Sequence, residues 1–214
     1  MVGIHPLTER PGNRMRVFLD FEKAVANLEG KIEVLRHLST DGDINIVEEV
    51  GKLQSKVERQ LKSTYQKLSP WQKVQVARHP NRPHFRDVVE NLVSEFTPLA
   101  GDRNFGEDKA IVGGIGRFRG FSAVIIGTEK GSSTQERIET NFGMAKPEGY
   151  RKARRLMELA ERFRLPVLTF VDTAGAYPGI GAEERGQAEA IARSIETCLG
   201  LTVPIISTII GEGG

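Results

Sequence analysis

Two short glycine-rich segments are the strongest candidates for chemistry in this sequence. Residues 173–181 contain three glycines, and residues 211–214 read GEGG. Each segment follows an apolar run, and glycine lets the backbone approach a ligand closely. Unpaired backbone N–H groups at such a place can face a phosphate, or a carbonyl oxygen that becomes an oxyanion. Ordinary turns also need glycine, so a binding site and plain turn chemistry both remain open at this point.

Other familiar chemistries lack the residues that they need. Residues 172–175 read DTAG, as in a GTPase magnesium loop, but no G-x-x-x-x-G-K-[ST] phosphate cradle precedes them. Residues 113–120 lack the G-x-G-x-x-G spacing of a dinucleotide site. One cysteine and scattered histidines do not make a zinc site. A nucleotide hydrolase, a dinucleotide-binding protein and a zinc protein are therefore not indicated.

The histidines restrict the chemistry further. All four precede the glycine-rich segments in the chain, at His5, His37, His79 and His84. The sequence therefore offers no Ser-His-Asp or Cys-His nucleophile near those segments. An active site here is expected to work mainly through backbone dipoles.

Two charged stretches have ordinary interpretations. Glu183 and Glu184 are expected to be first-turn acids favoured by a helix dipole, with a general-base role as the alternative. A run of cations precedes them, at Arg151, Lys152, Arg154 and Arg155. A solvated helix surface is the expected role of this run, and binding of an anionic ligand or partner is the alternative.

Composition bounds the class of protein. The chain has 30 basic and 28 acidic residues, a net charge of +2, which does not favour nucleic-acid binding, so no DNA role is predicted. The single cysteine, Cys198, excludes a disulfide framework and favours the cytoplasm. The longest apolar run, residues 203–210, is too short to span a membrane. Residues 1–16 lack a secretory signal and are expected to be a disordered leader.

Apolar spacing predicts the elements that position the glycine segments. Residues 21–35 and 46–61 each repeat apolar side chains every three or four positions, and a polar break at 39–43 separates them. Residues 17–69 are therefore expected to form an N-terminal helical hairpin, serving as a structural arm or oligomer contact. Short helices at 71–78 and 85–96 follow. A β-hairpin is predicted from strands at 110–116 and 122–127 with a connection at 117–120.

The last third repeats a helix–strand unit. A helix opens at Pro147, a strand covers 166–172, a second helix follows the glycine turn, and a second strand covers 204–210. The second helix is expected to face inward with Ala188, Ile191, Ile195, Cys198 and Leu199. Such a repeat predicts an α/β fold with parallel strands and right-handed crossovers. Near-continuous apolar strands indicate that both faces of the sheet are covered.

A series of longer motifs extends from FLDFE at 18–22 through PEGYRKA at 147–153 and GAYPG at 175–179 to GEGG at 211–214. This series resembles one known family, the α subunit of bacterial-type acetyl-CoA carboxylase carboxyltransferase. The resemblance runs from about residue 17 to the end, in the family's order and spacing, and includes FLDFE at 18–22 and residues 71–83. The other matching stretches are LAGDR at 99–103, DKAIVGG at 108–114, NFGM at 141–144, PEGYRKA at 147–153, GAYPG at 175–179, GAEERGQ at 181–187 and GEGG at 211–214.

The resemblance implies a crotonase-like (ClpP/crotonase) superhelix of ββα units preceded by the helical hairpin arm. Residues 70–214 would form the carboxyltransferase domain, with its C-terminal part missing because the family continues beyond GEGG. The family also usually has proline where Ala174 stands, a change expected to cost at most about 1 kcal/mol. This chain is thus expected to be a fragment or a truncated product.

The resemblance also implies an activity and its partners. Members transfer the carboxyl group from carboxybiotin, presented by the biotin carboxyl carrier protein, to acetyl-CoA, giving malonyl-CoA for fatty acid synthesis. They act only with a β subunit, in an expected α2β2 complex that works with biotin carboxylase. Zinc is expected only on the β subunit, and no cofactor is bound covalently to the α subunit.

The family's site carries over by motif onto the two glycine segments. The implied backbone oxyanion donors are Ala176, Tyr177, Gly213 and Gly214. The implied substrate-binding residues are Gly175, Pro178, Gly179 and Gly181. A non-catalytic assembly or binding fragment of the complex is one alternative, and another crotonase-like acyl-CoA carboxylase or decarboxylase subunit is a further one.

Overall fold

The computed structural model describes residues 17–38 and 44–214. The chain forms two compact units, one ending at Asn81 and one beginning at Arg82. The expected leader at 1–16 and the polar break at 39–43 lie outside the described residues.

The first unit is a pair of long helices followed by a short one. A short 3-10 helix covers Asp20–Glu22, α1 covers Lys23–Leu38, α2 covers Ile44–Tyr65 and α3 covers Pro70–Ala77. Val25 and Ile32 of α1 are buried with Val57 of α2, because apolar residues at helical spacing line one face of each helix. The predicted helical hairpin is confirmed.

The second unit is built on one five-stranded mixed sheet. Its strands are β1 (Val93–Pro98), β2 (Ile111–Phe118), β3 (Phe121–Thr128), β4 (Val167–Thr173) and β5 (Ile205–Gly213). They lie in sequence order. β1, β2 and β3 are antiparallel, whereas β3, β4 and β5 are parallel. The repeated helix–strand unit predicted the parallel pairing of β4 and β5, and the predicted hairpin is β2 and β3. The helices are α4 (Phe85–Leu92), α5 (Thr134–Glu139), α6 (Pro147–Phe163), α7 (Ile180–Glu184) and α8 (Gln187–Gly200).

Two predicted element boundaries were wrong. The helix expected at 85–96 ends at Leu92, and the chain continues as β1, in which Val93 pairs with Phe118. Pairing with β2 overrides the local helical pattern there, as tertiary context commonly does. The β2–β3 connection is also shorter than 117–120, because only Arg119 and Gly120 form the turn, with φ of 50° and 85°. Positive φ at both positions is typical of the type I′ turn that suits a tight hairpin.

Two apolar clusters cover the middle of the sheet. Val124 and Ile126 pack with Leu156 of α6 in one cluster, whereas Ala123 and Ile125 pack with Phe85 of α4 in the other. Alternate residues of a strand point to opposite faces, so the clusters lie on the two faces of β3. The prediction that both faces are covered therefore holds for this strand.

The same prediction fails for β5 and for most of the α8 face. Ile206 and Ile209 of β5 are 58% and 65% exposed, because β5 is the last strand of the described sheet and nothing described covers it. In α8, Ala188, Ile195 and Leu199 are exposed rather than inward. Helix α8 instead meets α6 where the Ser194 hydroxyl donates to the Tyr150 carbonyl at 3.2 Å and the Cys198 Sγ contacts the Met157 Sδ at 3.4 Å. Of the five residues predicted to face inward, only Ile191 is half-buried, and Cys198 is exposed although its sulfur contacts α6.

Candidate functional site

The two glycine segments lie next to each other at the end of the parallel strands. Gly213 pairs with Thr173, the last residue of β4, and the Gly214 N–H donates to the Thr173 carbonyl at 3.0 Å. The second segment is not the turn that the sequence predicted, because β5 continues through residues 211–213 before the chain ends at Gly214. Parallel strands bring their carboxyl ends to one edge, and this places both segments together.

The turn after β4 is held by its neighbours. The Thr173 hydroxyl accepts from the Gly175 N–H at 3.1 Å, and Gly175 has a φ of 137°, which favours glycine. The Tyr177 N–H donates to the Ala145 carbonyl at 3.0 Å. A Cβ on Gly179 would stand 2.2 Å from the Tyr177 ring, so the ring packs on bare backbone. The turn is therefore specified by contacts at several of its residues.

Some of the predicted oxyanion donors are already engaged in hydrogen bonds within the chain. The N–H groups of Tyr177 and Gly214 already donate to backbone carbonyls. The Ala176 N–H has no hydrogen-bond acceptor among the described residues. Of the two predicted donors in the turn after β4, Ala176 is consequently the one whose amide is available to a ligand in this conformation.

A buried cluster of charges joins the two segments, and sequence reasoning missed it. Asp172 is 2% exposed, and its Oδ1 lies 2.8 Å from the Lys130 Nζ and 2.9 Å from the Glu212 backbone nitrogen. The same Nζ lies 2.5 Å from the Glu212 Oε2. Burial raises the pKa of Asp172, but the His84 ring, Lys130 and the Glu212 amide outweigh it and bring the pKa to about 2. Asp172 is therefore ionised throughout the physiological range.

The packing around this cluster leaves no room for larger residues. A Cβ on Gly211 would stand 2.2 Å from the Asp172 Oδ1. A Cβ on Gly143, which has a φ of +80°, would stand 2.8 Å from the Lys130 Cγ. Glycine at these two positions lets the ammonium and the carboxylate meet.

His84 corrects the expectation that the histidines lie apart from this region. His84 is 6% exposed, and its Nδ1 lies 3.7 Å from the Asp172 Oδ2. That distance is too long for a hydrogen bond, and neither ring nitrogen has a hydrogen-bond partner among the described residues. A position before the parallel strands in sequence did not keep His84 away from them in space. The ring also lines a cavity of about 490 Å³ with Arg86, Glu107, Lys109 and Glu129.

The basic run on α6 is not a solvated surface. Arg151 lies 2.7 Å from Asp102, and Lys152, only 2% exposed, contacts Glu107 and donates to the Asp108 carbonyl at 2.8 Å. Arg155 donates to the Gly101 carbonyl at 2.9 Å. These side chains hold residues 99–109 against the helix, so the expected interpretation was wrong for Arg151, Lys152 and Arg155. Arg154 instead lies 3.4 Å from the exposed Glu158 of the same helix.

The environment of that loop shifts the pKa values of two of its carboxyl groups. Burial raises the pKa of Asp102, but Arg151 and the backbone N–H groups of residues 104–106 lower it well below its usual range. For Asp108, burial dominates and raises the pKa despite two backbone hydrogen bonds and nearby lysines. The remaining predicted acids, Glu183 and Glu184, are exposed on α7.

No group of three His, Cys, Asp or Glu side chains within residues 17–38 and 44–214 is arranged to hold a metal ion. Across that same part of the chain, no helix combines the length and the apolar character needed to cross a bilayer.

Solved structures define the class of fold. The second unit is similar to the β subunit of geranyl-CoA carboxylase from P. aeruginosa, with 24% identity and a TM-score of 0.50 over 62% of this chain and 23% of that one. A single-chain, multi-domain long-chain acyl-CoA carboxylase matches at 25% identity and a TM-score of 0.51 over 63% of this chain and 14% of that one. The fold is thus the crotonase-like α/β fold of carboxyltransferase subunits, as the sequence predicted.

Sequence relatives narrow the class to one family. The chain is 69% identical to the acetyl-coenzyme A carboxylase carboxyl transferase subunit alpha of Rhodospirillum centenum, over 92% of this chain and 62% of that protein. The same subunit of Paramagnetospirillum magneticum is 67% identical over equal shares. Residues 18–214 match the model of the acetyl co-enzyme A carboxylase carboxyltransferase-like family, and the chain belongs to that family. It spans less than two thirds of the length of these relatives.

Proposed function

We propose that this chain is the carboxybiotin side of an acetyl-CoA carboxyltransferase, transferring the carboxyl group of carboxybiotin to acetyl-CoA to give malonyl-CoA. Family membership over residues 18–214 is the observation that carries the proposal. The site geometry supports it, since two glycine-bearing backbone segments meet at the carboxyl ends of β4 and β5. In this proposal residues 70–214 make up the catalytic domain.

The reaction needs a stabilised anion rather than a nucleophilic side chain. Release of CO₂ from carboxybiotin leaves negative charge on the ureido oxygen, and this ureido group takes a proton from the acetyl methyl. The resulting enolate attacks CO₂ and forms the new carbon–carbon bond. Backbone N–H groups aimed at the ureido oxygen stabilise that charge, as in other oxyanion holes.

Ala176 is the leading donor in this scheme. Its amide has no acceptor within the described part of the chain, and it stands in the turn that follows the ionised Asp172. Tyr177, Gly213 and Gly214 complete the proposed donor set, and for Tyr177 and Gly214 this requires an exchange of their present carbonyl partners for substrate. Gly175, Pro178, Gly179 and Gly181 would form the wall of the substrate site.

The proposed activity needs partners that carry the rest of the reaction. A carboxyltransferase β subunit, in an α2β2 complex, would hold acetyl-CoA and a structural zinc. The biotin carboxyl carrier protein would present carboxybiotin made by biotin carboxylase. Such a complex would work in the cytoplasm, with no role for DNA or a membrane.

The test is the reverse reaction, from malonyl-CoA and a soluble biotin analogue. The chain is assayed alone and together with purified β subunit. The positive control contains a full-length relative in place of this chain, together with the β subunit. Carboxyl transfer that appears only in the mixture supports the proposal. Efficient transfer by the chain alone, or silence in the mixture while the full-length control works, contradicts it for this chain.

A non-catalytic assembly module is the second candidate. The observation that favours it is the exposed apolar surface of α8 and β5, where Leu199 is 82% exposed and Ile209 is 65% exposed. Surfaces of this kind commonly mark protein–protein contacts. Size-exclusion chromatography with the β subunit tests it, and this candidate requires a stable complex without turnover.

A further inference from the structure

We infer that Lys130 is a positioning residue that fixes the Ala176 turn and the Gly213–Gly214 backbone relative to each other by binding Asp172 and Glu212 at once. The inference deepens the proposed function and rests on it. Lys130 touches none of the proposed substrate atoms. Its effect would pass through the two carboxylates, one at the end of β4 and one at the end of β5.

The geometry is that of a cross-link between strand ends. Asp172 is the penultimate residue of β4, and Glu212 is the penultimate residue of β5. One ammonium reaches both carboxylates, at 2.8 Å and 2.5 Å. The Glu212 N–H closes the ring by donating to the Asp172 Oδ1 at 2.9 Å. The bonds therefore tie together the points from which the two glycine segments leave the sheet.

The cross-link is shielded from water. The side chains of Lys130 and Glu212 are 17% and 16% exposed, and that of Asp172 is 3% exposed. Charge-assisted hydrogen bonds in such a place are stronger and more directional than surface ion pairs. Gly143 and Gly211 provide the space for it, as their Cβ contacts show. A surface lysine in loose contact would need neither glycine.

Removing the ammonium would leave two carboxylates without their shared cation. Because both bind the same Nζ, their oxygens lie within about 5 Å of each other, close enough to repel strongly at low dielectric. The groups that face Asp172 are His84 from the start of α4, Lys130 after β3, Glu212 from β5 and the Thr128 hydroxyl. Without Lys130 the two carboxylates lose the cation that they share, and the strand ends are expected to separate.

The test compares Lys130→Met with Lys130→Arg in the full chain, assayed with the β subunit. Lys109→Met is the control, since Lys109 forms an exposed ion pair with Glu139 at 2.6 Å. We expect Lys130→Met to lower kcat about tenfold or more while KM for malonyl-CoA changes less than about twofold, because positioning acts on the transition state. Lys130→Arg should restore most of kcat. Of these variants, only Lys130→Met should recover activity as pH falls, because a proton on one of the two carboxylates then replaces the missing ammonium.

Amide hydrogen exchange provides a readout that does not need activity. The N–H groups of Glu212 and Gly214 should exchange at least about tenfold faster in Lys130→Met than in the native chain, whereas β2 and β3 amides should not change. Lys130→Arg and Lys109→Met should leave both sets unchanged. A general loss of protection would mean that the Met variant is unfolded, and the Arg variant then carries the comparison.

The two proposals fail in different ways. If the native chain with β subunit is inactive but the exchange pattern changes as expected, the proposed function fails for this chain and the positioning role stands. If the native chain is active and Lys130→Met keeps its kcat, or changes KM alone, the positioning role is overturned. Unchanged exchange at Glu212 and Gly214 overturns it as well.

Discussion

The Gln187 side-chain amide donates to the Ala145 carbonyl at 3.0 Å, and this carbonyl also accepts the Tyr177 N–H at 3.0 Å. A single oxygen therefore ties the first residue of α8 to the turn after β4. Gln187 also donates to the Tyr177 carbonyl at 3.2 Å. The sequence predicted both the helix and the turn, but not the amide that joins them.

Replacing Gln187 should loosen the turn. We expect Gln187→Leu to lower the free energy of unfolding by about 1–2 kcal/mol, because a buried amide and its two acceptors lose their hydrogen bonds. Urea denaturation measures the change. Gln135→Leu is the control, because that amide only reaches Glu139 on the surface. An equal effect in the two variants would contradict a special role for Gln187.

Asp172 should make stability depend on pH at the acid end. Its pKa is about 2 in the folded chain against 3.8 for an unperturbed aspartate, so the unfolded chain binds more protons between these values. The contribution of Asp172 to stability is complete above about pH 4 and is lost as pH falls toward 2. Asp172→Asn should therefore flatten the pH dependence of the unfolding free energy in that window. Urea denaturation of both proteins at several pH values between 2 and 5 checks this, and an unchanged slope in Asp172→Asn would contradict it.

Gly211 should tolerate no side chain. We expect Gly211→Ala to destabilise the chain by about 1–3 kcal/mol, because the new methyl would collide with the Asp172 carboxylate and force β5 away. Gly200→Ala is the matched control, since a Cβ there meets nothing within 4 Å. Thermal unfolding of both variants checks this. A neutral Gly211→Ala would show that the strand end shifts freely.

The loop at 99–109 should become accessible to protease when Lys152 is replaced. Lys152→Met removes the buried ammonium that contacts Glu107 and the Asp108 carbonyl, at a cost of about 1–3 kcal/mol. Trypsin should then cleave after Arg103 faster than in the native chain. Arg162→Met, at an exposed position of the same helix, should not change the cleavage rate. Equal rates in all three proteins would mean that Lys152 does not hold the loop.

Local patterns were sufficient for much of the fold. Spacing predicted α1, α2, α6 and the parallel strands β4 and β5, because each element has an apolar face that repeats with its own period. The pattern failed at residues 93–96, where pairing with β2 decides the structure. It failed again in β5, where Ile206 and Ile209 are mostly exposed.

The charge cluster could not be predicted in this way. Lys130, Asp172 and Glu212 come from three separate segments, and each looks unremarkable in its own stretch of sequence. Two signals were present, namely a charge at the end of an apolar strand and glycine at position 211. Neither identifies a partner, because partners depend on strand order and register. His84 shows the same limit, since order along the chain says nothing about distance in the fold.

Strand β5 has a practical consequence for handling the protein. Among the residues that the structure describes, it pairs with β4 on one side only, and Ile206 and Ile209 are mostly exposed. A strand with a free edge and apolar side chains is a template on which a second chain can pair. Concentrated samples of this chain are therefore expected to aggregate through β5. Replacement of Ile206 by a charged residue should raise the concentration at which aggregation begins.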